Sequence, residues 1–152
     1  MSAQPFSRRL AEAVKPLLRR PPHLQVAALC TREGPDGVEV MLITSRGTGR
    51  WILPKGWPIP RYSMAEAAAL EAWEEAGVRG AVEDTPLGGY EAQKDTDGGL
   101  PVPCRVEVYR LHVDSLADDF PEAAMRNRRW FAPREAMTLV REPGLRKILA
   151  GV

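Results

Sequence analysis
The sequence is short of cysteine, histidine, one-sided charge and long apolar runs, and each shortage removes a class of function. The two cysteines, Cys30 and Cys104, sit inside apolar runs. Small secreted folds that depend on disulfides usually carry more, so both read as reduced core residues. The two histidines, His23 and His112, lie in strand-like segments without companion ligands, which argues against a histidine metal centre or a histidine base. No apolar stretch approaches the ~18 residues needed to span a bilayer, and Met1 to Arg9 is polar, so no membrane partner and a cytoplasmic location are expected. Lys plus Arg total 21 against 20 Asp plus Glu, a net +1, which excludes binding nucleic acid by bulk charge. Neither a Walker-type nor a dinucleotide-binding glycine fingerprint is present.

What remains is an ordinary globular composition: 152 residues, 44% hydrophobic and 27% charged, the size of one domain. Only four basic residues are lysine (Lys15, Lys55, Lys94, Lys147), leaving 21 − 4 = 17 arginines. Arginine suits bidentate phosphate recognition, although such a bias can also be genomic. Apolar spacing from Phe6 to Leu18 predicts an amphipathic helix, making residues 1–22 an N-terminal helical extension. Gln25–Thr31 and Val38–Ser45 read as a hairpin around Gly34-Pro35-Asp36-Gly37. Trp51-Ile52-Leu53 is a short apolar piece, and Lys55 to Pro60 reads as a loop too rich in proline for regular structure. Further strands are expected at Val78–Val82, Gly89–Gln93, Cys104–Val113 and Arg128–Phe131, with a turn at Thr96–Gly99 and a last helix starting near Pro133. Helices among and after the strands predict an α/β fold with a mixed sheet.

The strongest helix runs from Met64 to Ala76. Ser63 and Glu66 form a capping box, and Gly77 is a natural stop. At about 100° per residue, Glu71, Glu74 and Glu75 share one face, while Ala65, Ala69, Ala72 and Ala76 form an adjoining stripe suited to lying close on a sheet. No Lys or Arg within the helix offsets the three acids, and like charges at this spacing cost roughly 0.2–0.5 kcal/mol per pair. A solvated acidic face is the bland account. The sharper one is a carboxylate site for Mg²⁺ or Mn²⁺ acting on a phosphate-bearing substrate, because hard divalent ions prefer oxygen ligands.

Gly56 to Val78, GWPIPRYSMAEAAALEAWEEAGV, resembles the Nudix box in length and spacing over 23 residues. The resemblance implies a Nudix-type α/β/α sandwich over a single domain, residues 1–152, and hydrolysis of a diphosphate linkage with a divalent metal. It carries Glu71, Glu74 and Glu75 over as metal-binding, catalytic acids and the Gly56 carbonyl as a further ligand. Water would be the nucleophile, with Glu71, Glu75 or a loop acid as base. Asp118, Asp119 and Glu122 are loop candidates, Glu122 being the extra acid retained, and a solvated acidic loop is an equal reading of them. Two positions depart from the family pattern: Tyr62 stands where a Glu is usual, and Leu70 where an Arg is usual. An ion pair replaced by an apolar contact is one consequence; impaired catalysis through loss of a residue that orients a metal-binding Glu is the other.

Trp51 to Gly56 is similar to the stretch leading into the box in Nudix enzymes acting on diphosphoinositol polyphosphates and diadenosine polyphosphates. Arg126-Asn127-Arg128-Arg129-Trp130-Phe131 resembles the basic lead into a strand in the diphosphoinositol group. Arg46, Arg50, Lys55, Arg61, Arg126 and Arg128 are therefore the substrate-binding candidates, converging on several phosphates of a small molecule. Arg128 and Arg129 cannot both face inward along a strand, and Arg128 is preferred. Trp57 could stack on a base or fold back on the protein, and Trp73 and Trp130 read as core. The alternatives are a smaller nucleoside diphosphate derivative such as ADP-ribose, or a catalytically weak Nudix domain that senses a phosphorylated ligand. A homodimer is compatible with either.

Overall fold
A computed structural model describes residues 23–94 and 99–152. The helix expected over Phe6–Leu18, with the rest of the 1–22 extension, and most of the Thr96–Gly99 turn lie outside the described residues. Strands β1 (His23–Gly34), β2 (Gly37–Thr44), β3 (Trp51–Ile52) and β4 (Lys55–Gly56) precede helix α1 (Met64–Ala76). Strands β5 (Val78–Val82), β6 (Gly88–Lys94), β7 (Val102–Leu116) and β8 (Arg128–Phe131) follow, and helices α2 (Pro133–Leu139) and α3 (Pro143–Ala150) close the chain. All eight strands join one sheet, β1 and β7 run parallel, and the other pairings are antiparallel, which makes the sheet mixed.

Strand β1 shows how the layers arise. Val26, Ala28 and Cys30 face one side, packing with Ala65, Ala68, Ala72 and Ala76 of α1 and with Met41, Ile43 and Leu111. Ala27 and Leu29 face the other side, packing with Ala136, Val140, Leu145 and Leu149 from α2 and α3 and their junction. Because helices cover both faces, the run from Gln25 to Thr31 is buried throughout, where a half-exposed strand would alternate. The result is an α/β/α sandwich.

The α1 boundaries follow local chemistry. The Ser63 hydroxyl accepts from the Glu66 amide, the Glu66 carboxylate accepts from the Ser63 amide, and Gly77 stops the helix in the left-handed conformation (φ 65°). The buried arc is wider than the predicted stripe. Ala67 and Ala68 are fully buried and Ala69 only partly so, and Ile59 of the proline-rich loop packs against the same core cluster.

Three expectations change. Lys55 and Gly56, expected in an irregular loop, form the short strand β4, which pairs with Ala27 and Val26 of β1; the prolines at 58 and 60 break the strand only after this pair. The single last helix is two, since Val140 leaves helical geometry (ψ 147°) and Pro143 starts a new one in its first turn. Strand β7 extends the predicted Cys104–Val113 at both ends, because β6 pairs with its first half and β5 with its second.

Candidate active site
One cavity of about 550 Å³ opens where α1, β1, β4, β6 and the segment after β7 meet. Glu71 and Glu75 reach it from α1, Lys55 and Gly56 from β4, Gln25 from β1, Lys94 from β6, and Glu122 and Arg126 from the segment between β7 and β8. Ser45, Arg46 and Trp57 complete the rim. Antiparallel pairing of β4 with β1 sets Lys55 and Gly56 opposite the C-terminal half of α1. The Lys55 amide donates to Glu75 Oε2 at 3.0 Å. A Cβ added at Gly56 would collide with the Glu71 carboxylate, so only glycine lets that carboxylate lie against the backbone here.

Glu75 is buried and fully engaged: its Oε1 also accepts from Arg126 Nη2 at 3.1 Å. Arg126 is itself only 6% exposed; it donates to the Thr44 carbonyl at 3.1 Å and reaches Glu122 Oε1 at 3.4 Å. Glu122 is tied to α1 through its own amide, which donates to the Glu74 carbonyl at 2.9 Å. Glu71 has no hydrogen-bond donor among the described residues. Burial, with Glu74 and Glu122 beside it, pushes its carboxyl up to about 7 against the pull of Arg126. Burial likewise raises Glu75 to about 7, opposed by Arg126 and by the Lys55 amide. Lys55 is lowered from the ordinary lysine range by burial and by nearby Arg50, and its Nζ donates to Gln25 Oε1 at 3.2 Å.

Among the described residues, no cluster of three or more acidic, histidine or cysteine side chains stands ready to hold a metal ion. Glu74, placed by sequence with Glu71 and Glu75, is exposed and outside the cavity lining, since its helical angle turns it toward solvent. The residues still fit a hard divalent cation. Two carboxylates raised by burial and by neighbouring acids lie beside the Lys55–Gly56 backbone, and Mg²⁺ is commonly held by one or two carboxylates while keeping several waters.

Of the basic candidates, Arg46, Lys55 and Arg126 line the cavity. Arg50 does not: its Nη1 donates to the buried Glu142 at 2.8 Å. Arg128 does not either; its Nη1 donates to the Ala76 carbonyl at 2.6 Å, it reaches Asp118 at 3.7 Å, and its guanidinium lies over Phe120. It thus serves the C-terminus of α1. Arg61 is exposed in the loop with a positive φ of 73° and is absent from the cavity wall. Asp118 and Asp119 also lie outside it. Tyr62 is exposed and Leu70 half-buried. His112 pairs with Glu83 at 2.8 Å. Trp130 packs partly buried against the α1-side core under Arg32, and Trp73 lies under Arg79. Sequence reasoning missed Gln25 and Lys94. Both lie at the same end of the sheet as β4, a placement set by strand pairing and invisible in local spacing.

Comparison with known proteins agrees with this architecture. The NUDIX domain matches residues 21–152. The chain belongs to the Nudix family. Nudix hydrolase 12, mitochondrial, of Arabidopsis thaliana is 32% identical over 119 residues, covering 74% of this chain and 57% of the plant protein. Diphosphoinositol polyphosphate phosphohydrolase 3-alpha of Homo sapiens is 31% identical over 118 residues, covering 76% of this chain and 68% of the human protein. The chain thus spans between 54% and 63% of the plant Nudix relatives' length. Among solved structures, a Nudix hydrolase from Nitrosomonas europaea superposes with a TM-score of 0.64 at 23% identity, over 85% of this chain and 86% of that one. The Ap4A hydrolase of C. elegans gives 0.58 at 17% identity, over 84% and 93%. These two likenesses show the Nudix fold. No helix among the described residues is long and apolar enough to cross a membrane.

Proposed function
We propose that this Nudix domain is a Mg²⁺- or Mn²⁺-dependent pyrophosphohydrolase acting on a diphosphate linkage in a phosphate-rich small molecule, a diphosphoinositol polyphosphate or a diadenosine polyphosphate. One observation carries the reading: Glu71 and Glu75 share a single cavity with Arg46, Lys55 and Lys94. Carboxylates for a metal and cations for phosphates are brought together from four parts of the chain. The likeness to the human diphosphoinositol polyphosphate phosphohydrolase supports the substrate class.

Glu71, Glu75 and the Gly56 carbonyl would hold the ion, with Glu74 available from the flank. When bound, a divalent ion neutralises the diphosphate and acidifies a coordinated water. The protein's own part is positional. Arg126 and the Lys55 amide fix Glu75 in one orientation. Glu71, which accepts no hydrogen bond among the described residues, would keep its second carboxylate oxygen for the proton lost as water oxygen attacks phosphorus and the bridging P–O bond breaks, giving two phosphate-bearing products. Arg46, Lys55 and Lys94 hold the remaining phosphates in place.

The alternative of a weakly catalytic sensor rests on Leu70 and Tyr62. Arg126 weakens it: a guanidinium reaches Glu75 from elsewhere in the chain, so a carboxylate is oriented without an arginine at position 70. The test is turnover of 5-diphosphoinositol pentakisphosphate, diadenosine tetraphosphate and ADP-ribose with Mg²⁺, Mn²⁺ or a chelator. Metal-dependent release of phosphate-bearing products from either of the first two, faster than from ADP-ribose, is expected. Absence of turnover, with binding intact, would instead establish the sensor.

A further inference from the structure
The cations of the active-site cavity are not equivalent. Arg126 is engaged by Glu75 and Glu122, and Arg46 lies 3.6 Å from Glu122. Lys55 and Lys94 are held by neutral partners instead. Lys55 Nζ donates to the side-chain carbonyl of Gln25, which is only 5% exposed. Lys94 Nζ sits 4.3 Å from the centroid of the Trp57 ring, and Trp57 is itself braced edge-on by His23, ring centroids 5.5 Å apart. Among the described residues, neither ammonium lies within ion-pair distance of a carboxylate. Both lie at one end of the sheet, where β4 pairs with β1 at Val26 and Ala27 and β6 ends beside the start of β7.

An amide oxygen or an indole face fixes the position of an ammonium group without cancelling its charge. Two such groups add positive charge to the cavity beside the carboxylates that would hold the metal: the Lys55 amide itself donates to Glu75, and Glu75 and Glu142 offset only part of the Lys55 charge. A polyphosphate supplies the missing charge once it extends beyond the linkage being cleaved.

We infer that Lys55 and Lys94, positioned by Gln25 and Trp57, form an anion subsite for phosphates beyond the scissile diphosphate. This subsite makes the number of phosphates beyond the scissile linkage the property by which the enzyme selects its substrate. The inference rests on the proposed hydrolase reading and adds to it the residue that reads the extra phosphates, Lys94, with Trp57 as its positioning residue. Movement of the Lys94 ammonium from the Trp57 face to a phosphate of the ligand is the recognition event: it exchanges a cation–π contact for a charged hydrogen bond.

Two measurements test it. The first is the ratio of kcat/KM for diadenosine tetraphosphate to that for ADP-ribose, which carries only two phosphates. In Lys94→Gln this ratio should fall about tenfold, chiefly through KM for the longer substrate, and Lys94→Arg should restore most of it. Trp57→Leu should act in the same direction and Trp57→Phe, which keeps a ring, should act less. The second is binding of inorganic tripolyphosphate by calorimetry, with circular dichroism confirming that each variant is folded. Affinity should fall about tenfold in Lys94→Gln. If the protein hydrolyses none of 5-diphosphoinositol pentakisphosphate, diadenosine tetraphosphate and ADP-ribose yet shows this Lys94-dependent binding, the hydrolase reading fails and the anion subsite stands. An unchanged substrate ratio, or unchanged tripolyphosphate affinity, in folded Lys94→Gln overturns the inference.

Discussion
At the scale of single residues, the candidate site depends on close approach and on burial. Gly56 carries no side chain where a Cβ would strike the Glu71 carboxylate. Gly56→Ala should therefore lower turnover by at least about 100-fold, the scale of losing a positioned acid–base group. It should also abolish any Mg²⁺-induced rise in Tm, measured by differential scanning fluorimetry. The pH dependence of the metal-free protein follows from Glu71 and Glu75. Both carboxyls are raised to about 7 in the folded chain, above the ordinary glutamate range, so the folded state binds more protons than the unfolded one between about pH 4.5 and 7. Their contribution to stability is present below that window and is lost as pH rises through 7. In EDTA, Tm should fall across this range more steeply in wild type than in Glu71→Gln, and Mg²⁺ should reverse the fall at pH 8 more than at pH 5.5. Burial also pushes the Cys30 thiol up to about 12. Neither Cys30 nor Cys104, both buried, should react with a thiol reagent at pH 8 until the protein unfolds.

At the scale of elements, α1 was legible in the sequence because its signals are local. Ser63, Glu66 and Gly77 act within a few residues, and the observed helix begins and ends where they stand. Ser63→Ala should cost about 1 kcal/mol in denaturant unfolding, the usual loss for an N-cap hydroxyl. Gly77→Ala should cost more, since it forces a positive φ and places a Cβ against Phe120 and Arg128. Strand β4 was not legible. Two residues between prolines become a strand only because β2 pairs with β1 at Thr31–Gly34 and leaves Val26 and Ala27 to β4, and nothing near Lys55 in sequence announces that partner. The division of α2 from α3 had a signal, Pro143, which fits the first turn of a new helix better than the interior of one continuous helix.

At the scale of the whole molecule, the α/β class and the mixed sheet were legible from the order of helix and strand signals, the sandwich came with the resemblance to the Nudix box, and two of the three carboxylates spaced along one face of α1 reach the cavity. The cationic side was only half legible. Arginine content fitted either phosphate recognition or a genomic bias, and which cations reach the cavity is decided by tertiary pairing. Glu142 at the start of α3 claims Arg50, and the carbonyl of Ala76 claims Arg128. Lys94 arrives because β6 pairs with β7, which runs beside β1. The buried pair of Arg126 and Glu75 likewise joins residues 51 positions apart. Breaking such a pair from one side leaves a buried charge, so Arg126→Met should lower stability by about 3–5 kcal/mol as well as activity. The near-balance of 21 basic and 20 acidic residues is resolved in space as carboxylates on one helix and cations around the same cavity. The most direct test of this account is steady-state hydrolysis of a diphosphoinositol or diadenosine polyphosphate by Glu75→Gln and wild type, in saturating Mg²⁺, with folding verified by circular dichroism. A fall in kcat of at least about 100-fold is the predicted result; turnover in the folded variant equal to that of wild type would contradict the central claim.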